Sequence, residues 1–205
     1  NHTLEGYSII VAPMAYMMKD QLPEHLRDFV ARGGTLIATF MTGVADENDR
    51  CVFGAYPGPL KDVLGLWVEE TDALFPQENN EICMVSREKT WTSGFLCDRI
   101  RTEGARTLAV YGKDFYKGEP CVTVNDFGKG KAYYIGTLPE DDFLADFMQK
   151  LCQGQNIRPL YPSSKGMELT CRQKDGHNVI FAINHNDSEG WLDLGPVSAK
   201  DLLTG

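Results

Sequence analysis

The sequence predicts an α/β protein, one domain with a mainly parallel sheet followed by a small partial β-sandwich. Three observations carry that expectation. An apolar run, an amphipathic segment and a second apolar run follow one another over residues 7–40, the pattern of a β-α-β unit with a right-handed crossover. A second amphipathic segment covers residues 139–154. Beyond a proline- and serine-rich stretch at 156–164, strand-like pieces alternate with glycine turns.

Taken in order, "YSIIVAP" is a short continuous apolar run ended by proline, which reads as a buried parallel-type strand. "KDQLPEHLRDFVARGG" places Leu22, Leu26, Phe29 and Val30 at helical spacing, with Asp20 as the cap and Gly33 and Gly34 as the stop. "TLIATF" is the second buried strand. After a polar loop, "PLKDVLG" gives a short helix with proline in its first turn. Six strand-like pieces follow, "LWVEETDAL", "EICMVSRE", "TWTSGFLCDRI", "TLAVYG", "PCVTVNDF" and "KAYYIGT", the last two joined by a "DFGKG" hairpin turn. "PEDDFLADFMQKLCQG" then forms a helix with Phe143, Phe147, Met148 and Leu151 on one face and acids at its N-terminus, where they complement the dipole. "MELTCRQ", "HNVIFAINH" and "GWLDLG" are the strands of the sandwich. The domains fall at residues 1–157 and 158–205.

Composition narrows the function. Hydrophobic residues are 42% and charged residues 24% of the chain, an ordinary globular balance. A net charge of -9 without a Lys/Arg cluster argues against a nucleic-acid partner. No apolar run reaches the roughly 18 residues of a membrane span, so no membrane partner is expected and the location expected is cytoplasmic. The six cysteines are irregularly spaced, without a CxxC pair, and are expected as reduced, buried thiols. Asn1 is not an initiator methionine and "KDLLTG" closes on a turn, which together predict a fragment.

The loop "MTGVADENDRCVFGAYPGPL" invites a search for chemistry. A cysteine nucleophile needs a lowered thiol pKa and a sharp strand-to-helix elbow. Here the elbow would fall at Phe40 and Met41, and Cys51 lies some ten residues beyond the strand. A metal loop on Asp46 and Asp49 lacks alternate oxygen ligands; an Asx-turn cluster, in which Asp46 and Asn48 bond nearby amides, is the expectation. Glu69 and Glu70 would point to opposite faces of a strand, and Glu140, Asp141 and Asp142 serve a helix N-terminus. Trp67, Trp91 and Trp191 read as core packing. Sequons stand at Asn1 and Asn186. No metal and no cofactor is implied.

With these residues on the page, "YSIIVAPMAYMM", "LRDFVARGGTLIATF" and "TGVADENDRCVFGAYPGPLKDVLGLWVEE" closely resemble the middle domain of bacterial β-galactosidases of glycoside hydrolase family 42. "GEPCVTVNDFGKGKAYYIGT" and "IFAINHNDSEGWLDL" with the closing "DLLTG" are similar to the end of that domain and the start of the family's small C-terminal β-domain. The resemblance implies a flavodoxin-like, class I glutamine amidotransferase-like domain, its first strand missing here, that mediates a homotrimer. It implies a retaining hydrolase of terminal β-linked galactose whose catalytic glutamates, and any zinc-binding cysteines, lie on a (β/α)8 barrel of the same polypeptide outside these residues. No catalytic role passes to this chain, and Cys51 is not credited with zinc. The resemblance further suggests a subunit-facing loop over residues 46–56 that borders a neighbouring active site, with Phe53 and Tyr56 as aromatic anchors and Asp46, Glu47, Asn48 and Asp49 on the polar rim. Two alternatives stand beside this reading: a free-standing amidotransferase-like enzyme or small-molecule sensor, and a carbohydrate-binding module presenting Trp191.

Overall fold

The computed structural model describes residues 4–196 and 199–203, in two compact units, Asn1–Met148 and Gln149–Gly205. The first unit opens with β1 (Ile9–Ala12), β2 (Met17–Met18), α1 (Leu22–Ala31), β3 (Thr35–Thr39) and β4 (Ala45–Asp46). A 3-10 turn (Gly58–Leu60) runs into α2 (Lys61–Leu64). Then come β5 (Leu66–Ala73), β6 (Asn80–Met84), β7 (Thr90–Thr102), β8 (Arg106–Tyr111), β9 (Pro120–Phe127), β10 (Gly130–Ile135) and β11 (Thr137–Pro139). Helix α3 (Asp141–Gly154) crosses into the second unit, which holds β12 (Met167–Lys174) and β13 (His177–Asn184).

The sheet corrects the predicted fold class. Nine strands form one mixed sheet in the order β1-β3-β10-β9-β8-β6-β7-β11, with β5 also on β7. Only β1–β3 and β3–β10 run parallel; the other pairings within it are antiparallel. The molecule is dominated by strands rather than being a helix-rich flavodoxin-like domain with a mainly parallel sheet. The physical reason lies in the connections. A parallel pair needs a crossover of a dozen or more residues, usually a helix. The β-α-β unit supplies one through α1, whereas the pieces from residue 66 to 135 are joined by turns too short to cross over and must fold back on one another.

Strand β7 organises that antiparallel half. Ser93 pairs with Asn80 and Pro139, and Cys97 with Asp72 and Thr137. Strands β5 and β6 therefore lie end to end along one edge of β7, and β11 lies along the other. The ladder slips at Glu69, where Val68 faces Ile100 and Glu70 faces Arg99. This bulge cancels the expected alternation of Glu69 and Glu70. Both acids reach Arg99, at 3.8 and 3.1 Å, and Glu119 grips the same guanidinium from β8's far turn at 2.8 and 3.1 Å. Paired carboxylates that could have suggested acid/base chemistry are thus consumed by arginine.

Helix α1 forms where the sequence placed it. Pro23 occupies the first turn, and Leu26, Phe29 and Val30 are buried on one face against Leu36, Ala38, Ala132 and Tyr134 of the sheet. Its N-cap is Gln21 without a side-chain bond, and Asp20 sits at φ 49 instead of capping. On the other face of β10, Tyr133 packs edge-on to Phe147 at 5.4 Å, and Trp91 to Phe143 at 5.2 Å. Trp91 is core as predicted; Trp67 is half-buried and Trp191 is exposed.

In the second unit the predicted sandwich is not formed among the described residues. It contains one hairpin, β12–β13, and "GWLDLG" contributes only an isolated bridge between Leu192 and Ser163. The register puts Leu169 beside Ala182 and Cys171 beside Ile180 on one face, with Thr170 beside Phe181 and Glu168 beside Ile183 on the other. Apolar residues on both faces of a two-stranded sheet have no second layer to cover them; Phe181 and Ile183 stay about half exposed. No helix among the described residues is long and apolar enough to cross a membrane.

Candidate functional site

The chain after β3 turns sharply through Met41, at φ 59, the position at which a nucleophile elbow would have to fall. The left-handed turn is present, but a methionine occupies it and no helix follows. The backbone instead runs to β4, which pairs with Met17 and Met18, and then through the loop at 46–56. Gly43 and Gly58 hold the two ends of this excursion together: a Cβ on Gly43 (φ 68) would lie 2.9 Å from the Pro57 carbonyl oxygen, and one on Gly58 would lie 3.0 Å from that of Gly43.

Asp46 builds the tip. Its Oδ1 accepts the amides of Asn48 at 2.9 Å and Arg50 at 3.0 Å, and its Oδ2 accepts Arg50 Nε at 2.8 Å. The Asp46 amide donates to the Arg50 carbonyl at 3.0 Å, Asp49 turns at φ 58, and Ala45 bridges Cys51. This is the Asx-turn expected for Asp46; Asn48 contributes only a side-chain bond to Glu47 at 3.2 Å. The Arg50 amide and guanidinium hold the Asp46 carboxyl below the usual carboxylate range, so the turn is braced at neutral pH and loses that brace as pH falls through the lowered value. Asp46→Ala is expected to raise proteolytic cleavage between residues 47 and 50 while leaving global melting unchanged; equal cleavage in both proteins would contradict the brace.

The sequence-predicted residues divide into two sets. Glu47, Asn48, Asp49 and Phe53 are exposed, Phe53 completely at 100%. Tyr56 is only half-buried, and its hydroxyl points inward to Thr71 Oγ1 and, at 3.2 Å, to Asp98 Oδ1. Phe53 is thus carried on a short arch of left-handed residues, Gly54 at φ 91 and Ala55 at φ 75. The arch is clamped before by the Val52 amide on the Val44 carbonyl (2.9 Å) and after by the Val68 amide on the Tyr56 carbonyl (2.8 Å).

Asp98 is the residue the sequence reading missed. It is fully buried, and its carboxyl accepts Thr71 Oγ1 at 2.6 Å, Tyr134 Oη at 2.6 Å and the Tyr56 hydroxyl. Tyr111 Oη donates to its main-chain carbonyl at 3.1 Å. Burial pushes the Asp98 carboxyl above its ordinary range against the pull of the three hydroxyls, and burial likewise raises the Tyr56 and Tyr134 phenols. A signal existed: Asp98 lies two residues before Ile100, a core position of the same strand, so period-two alternation turns it inward.

All six cysteines are free thiols, but only Cys97 and Cys121 are buried, and Cys51 is exposed, which corrects the expectation of uniformly buried thiols. Among the described residues no group of three or more His, Cys, Asp or Glu could hold a metal ion. Of the sequons, that at Asn1 lies outside the described residues, and Asn186 Nδ2 donates to the Lys165 carbonyl at 2.8 Å.

The β-galactosidase trimerisation domain family matches residues 1–158, and the β-galactosidase C-terminal domain family matches residues 166–205. Similar relatives include β-galactosidase BgaP of Planococcus sp. (strain L4), 42% identical over 205 residues, and β-galactosidase Pbg of Clostridium perfringens, 38% identical over 206. The match takes in 98% and 97% of this chain respectively, and 30% of the length of each of these relatives. Among solved structures, a β-galactosidase from Bacillus circulans sp. alkalophilus aligns over 100% of this chain and 31% of its own, with a TM-score of 0.90 at 41% identity. One from Rahnella sp. R3 aligns over 91% and 28%, with a TM-score of 0.84 at 37% identity.

Proposed function

The chain belongs to the β-galactosidase trimerisation domain family, and from that membership we propose that it is the non-catalytic assembly region of a retaining glycoside hydrolase releasing terminal non-reducing β-D-galactose. In this reading the catalytic glutamates sit on a (β/α)8 barrel of the same polypeptide, outside these 205 residues, and the enzyme is a cytoplasmic homotrimer. Residues 1–157 form the assembly domain, and 158–205 belong to the C-terminal β-domain.

The observation that carries the subunit contact in this reading is Phe53. A phenyl ring at full exposure costs hydration free energy that burial against a partner recovers, about 1.5–3 kcal/mol for a fully buried side chain. It stands on an arch clamped at both ends, with Glu47, Asn48 and Asp49 exposed nearby on the tip of the same loop, the arrangement of an apolar anchor with a polar rim. The loop meets a neighbouring subunit through Phe53, while Tyr56, turned inward, shapes the loop rather than the contact. In the same reading the tip borders the neighbouring active site.

Phe53→Ala in the intact enzyme tests it. The expected result is a trimer that dissociates at concentrations at least about tenfold higher than wild type, the loss of one anchor side chain, seen by sedimentation velocity across a dilution series. Unchanged dissociation removes Phe53 from the interface.

A further inference from the structure

We propose that Asp98 is the positioning residue of the 46–56 loop: through the Tyr56 hydroxyl it latches the arch that carries Phe53 to the core, and the latch responds to pH. The proposal rests on the assembly reading for its consequence but not for its geometry.

The latch joins three elements. Tyr56 comes from the loop, Thr71 from β5 and Tyr134 from β10, and all three hydroxyls converge on one carboxyl of β7. Tyr134 is fully buried and faces the core, so it fixes the carboxyl from the inside; Tyr56 is the only one of the three that belongs to the loop. The groups facing Asp98 are these hydroxyls together with Tyr111 Oη on its main-chain oxygen, and no Lys, Arg or His among the described residues takes part. An acid held by hydroxyls alone has no countercharge inside the fold. Two main-chain bonds accompany the latch: the Val52 amide on the Val44 carbonyl lies within the excursion itself, and the amide of Val68, a core residue of β5, holds the Tyr56 carbonyl to the sheet.

The sign of the pH response follows from linkage. Burial favours the protonated carboxyl in the closed arrangement. Opening the loop withdraws the Tyr56 hydrogen bond, which by itself lowers the value, but it also admits water, and relief of burial, the larger cause, returns the carboxyl toward its ordinary range. The closed state therefore binds the proton more tightly than the open one, and the latch is firmest below the ordinary carboxylate range and loosens as pH rises through the raised value.

Amide hydrogen exchange of the intact enzyme, read at Val52 and Val68 from pH 4 to 9 after correction for intrinsic rates, tests the proposal. Wild-type protection is expected to fall with rising pH at these two amides. Tyr56→Phe should lower it about tenfold, the loss of one hydrogen bond to a buried carboxyl, and Asp98→Asn should abolish the pH dependence. Core amides of β3 and β10 should be unaffected in Tyr56→Phe. Thr71→Val, which removes a hydroxyl from β5 but leaves Tyr56 in place, should lower protection by less than Tyr56→Phe. Protection at Val52 and Val68 that is flat with pH in the wild type, or unchanged in Tyr56→Phe, overturns the latch. So does a loss shared equally by the core amides, which would mark a general weakening. The assembly reading fails separately: if Tyr56→Phe loosens the loop and Phe53→Ala leaves the trimer intact, the latch stands and the subunit contact does not.

Discussion

Gly130→Ala is expected to destabilise the larger unit by about 3 kcal/mol or more, the upper range for overpacking a closed site, which lowers its melting temperature by roughly 10 °C for a unit of this size. A Cβ at this position would overlap the carbonyl oxygens of Val30 and Gly34. Both are main-chain atoms, one near the end of α1 and the other just before β3, and the Gly34 carbonyl already accepts the Lys131 amide at 3.2 Å. Neither can rotate aside as a side chain could. The helix would have to lift from the sheet, taking Leu26, Phe29 and Val30 out of the core. The control is Gly154→Ala in α3, where nothing lies within 4 Å of the added carbon; there the change should be neutral or slightly stabilising. Thermal unfolding by circular dichroism of both variants checks the pair, and equal effects would contradict the packing argument.

Asp98→Ala is the second large change. It strands three hydroxyls, those of Tyr56, Thr71 and Tyr134, around an empty space, and a buried polar group left unsatisfied costs about 1–3 kcal/mol. Since the two less enclosed groups, Tyr56 and Thr71, find water more easily than Tyr134, a total of about 3–5 kcal/mol is expected. Asp98→Asn keeps the shape and part of the bonding and isolates the charge. Because the folded carboxyl is held above its unfolded value, its contribution to stability is fully present below about pH 4 and is lost as pH rises through the folded value. The Asn variant lacks that decline, so its deficit relative to wild type should shrink from pH 4 to pH 8. Asp62 and Glu119 act oppositely. Arg27 and Arg99 hold them below the ordinary range, and their contribution disappears as pH falls through those lowered values, in wild type and variant alike. Denaturant unfolding at several pH values therefore cancels them in the difference, and a difference that does not change with pH would refute the assignment to Asp98.

What the sequence made legible depended on whether the signal was local. Leu26, Phe29 and Val30 at helical spacing, with Pro23 before and Gly33 after, located α1, because helix periodicity and its stop signals lie within one segment. Distant strand partners were not legible in that way. The antiparallel pairing of β10 with β9 was announced by the local DFGKG turn, but its parallel pairing with β3 joins residues nearly a hundred positions apart, and the β-α-β start biased the expected sheet toward parallel pairing. In the loop, Asp46 announced its turn through Asn48 and Arg50 close by. Tyr56 was assigned to the surface because its partners, Thr71 and Asp98, are distant in sequence. Glu69 and Glu70 were assigned opposite faces because a bulge changes period two by one residue and leaves no mark that a single strand displays.

The borders of the sheet carry one more consequence. Strand β1 has four residues and is followed at once by Pro13, while β11 has three and ends in Pro139. Strand β5, longer, is broken by its bulge and carries Glu69, Glu70 and Asp72. Each margin is thus too short, too bent or too charged to template a further strand from another molecule. Addition of further strands from other copies is therefore disfavoured at each of these margins.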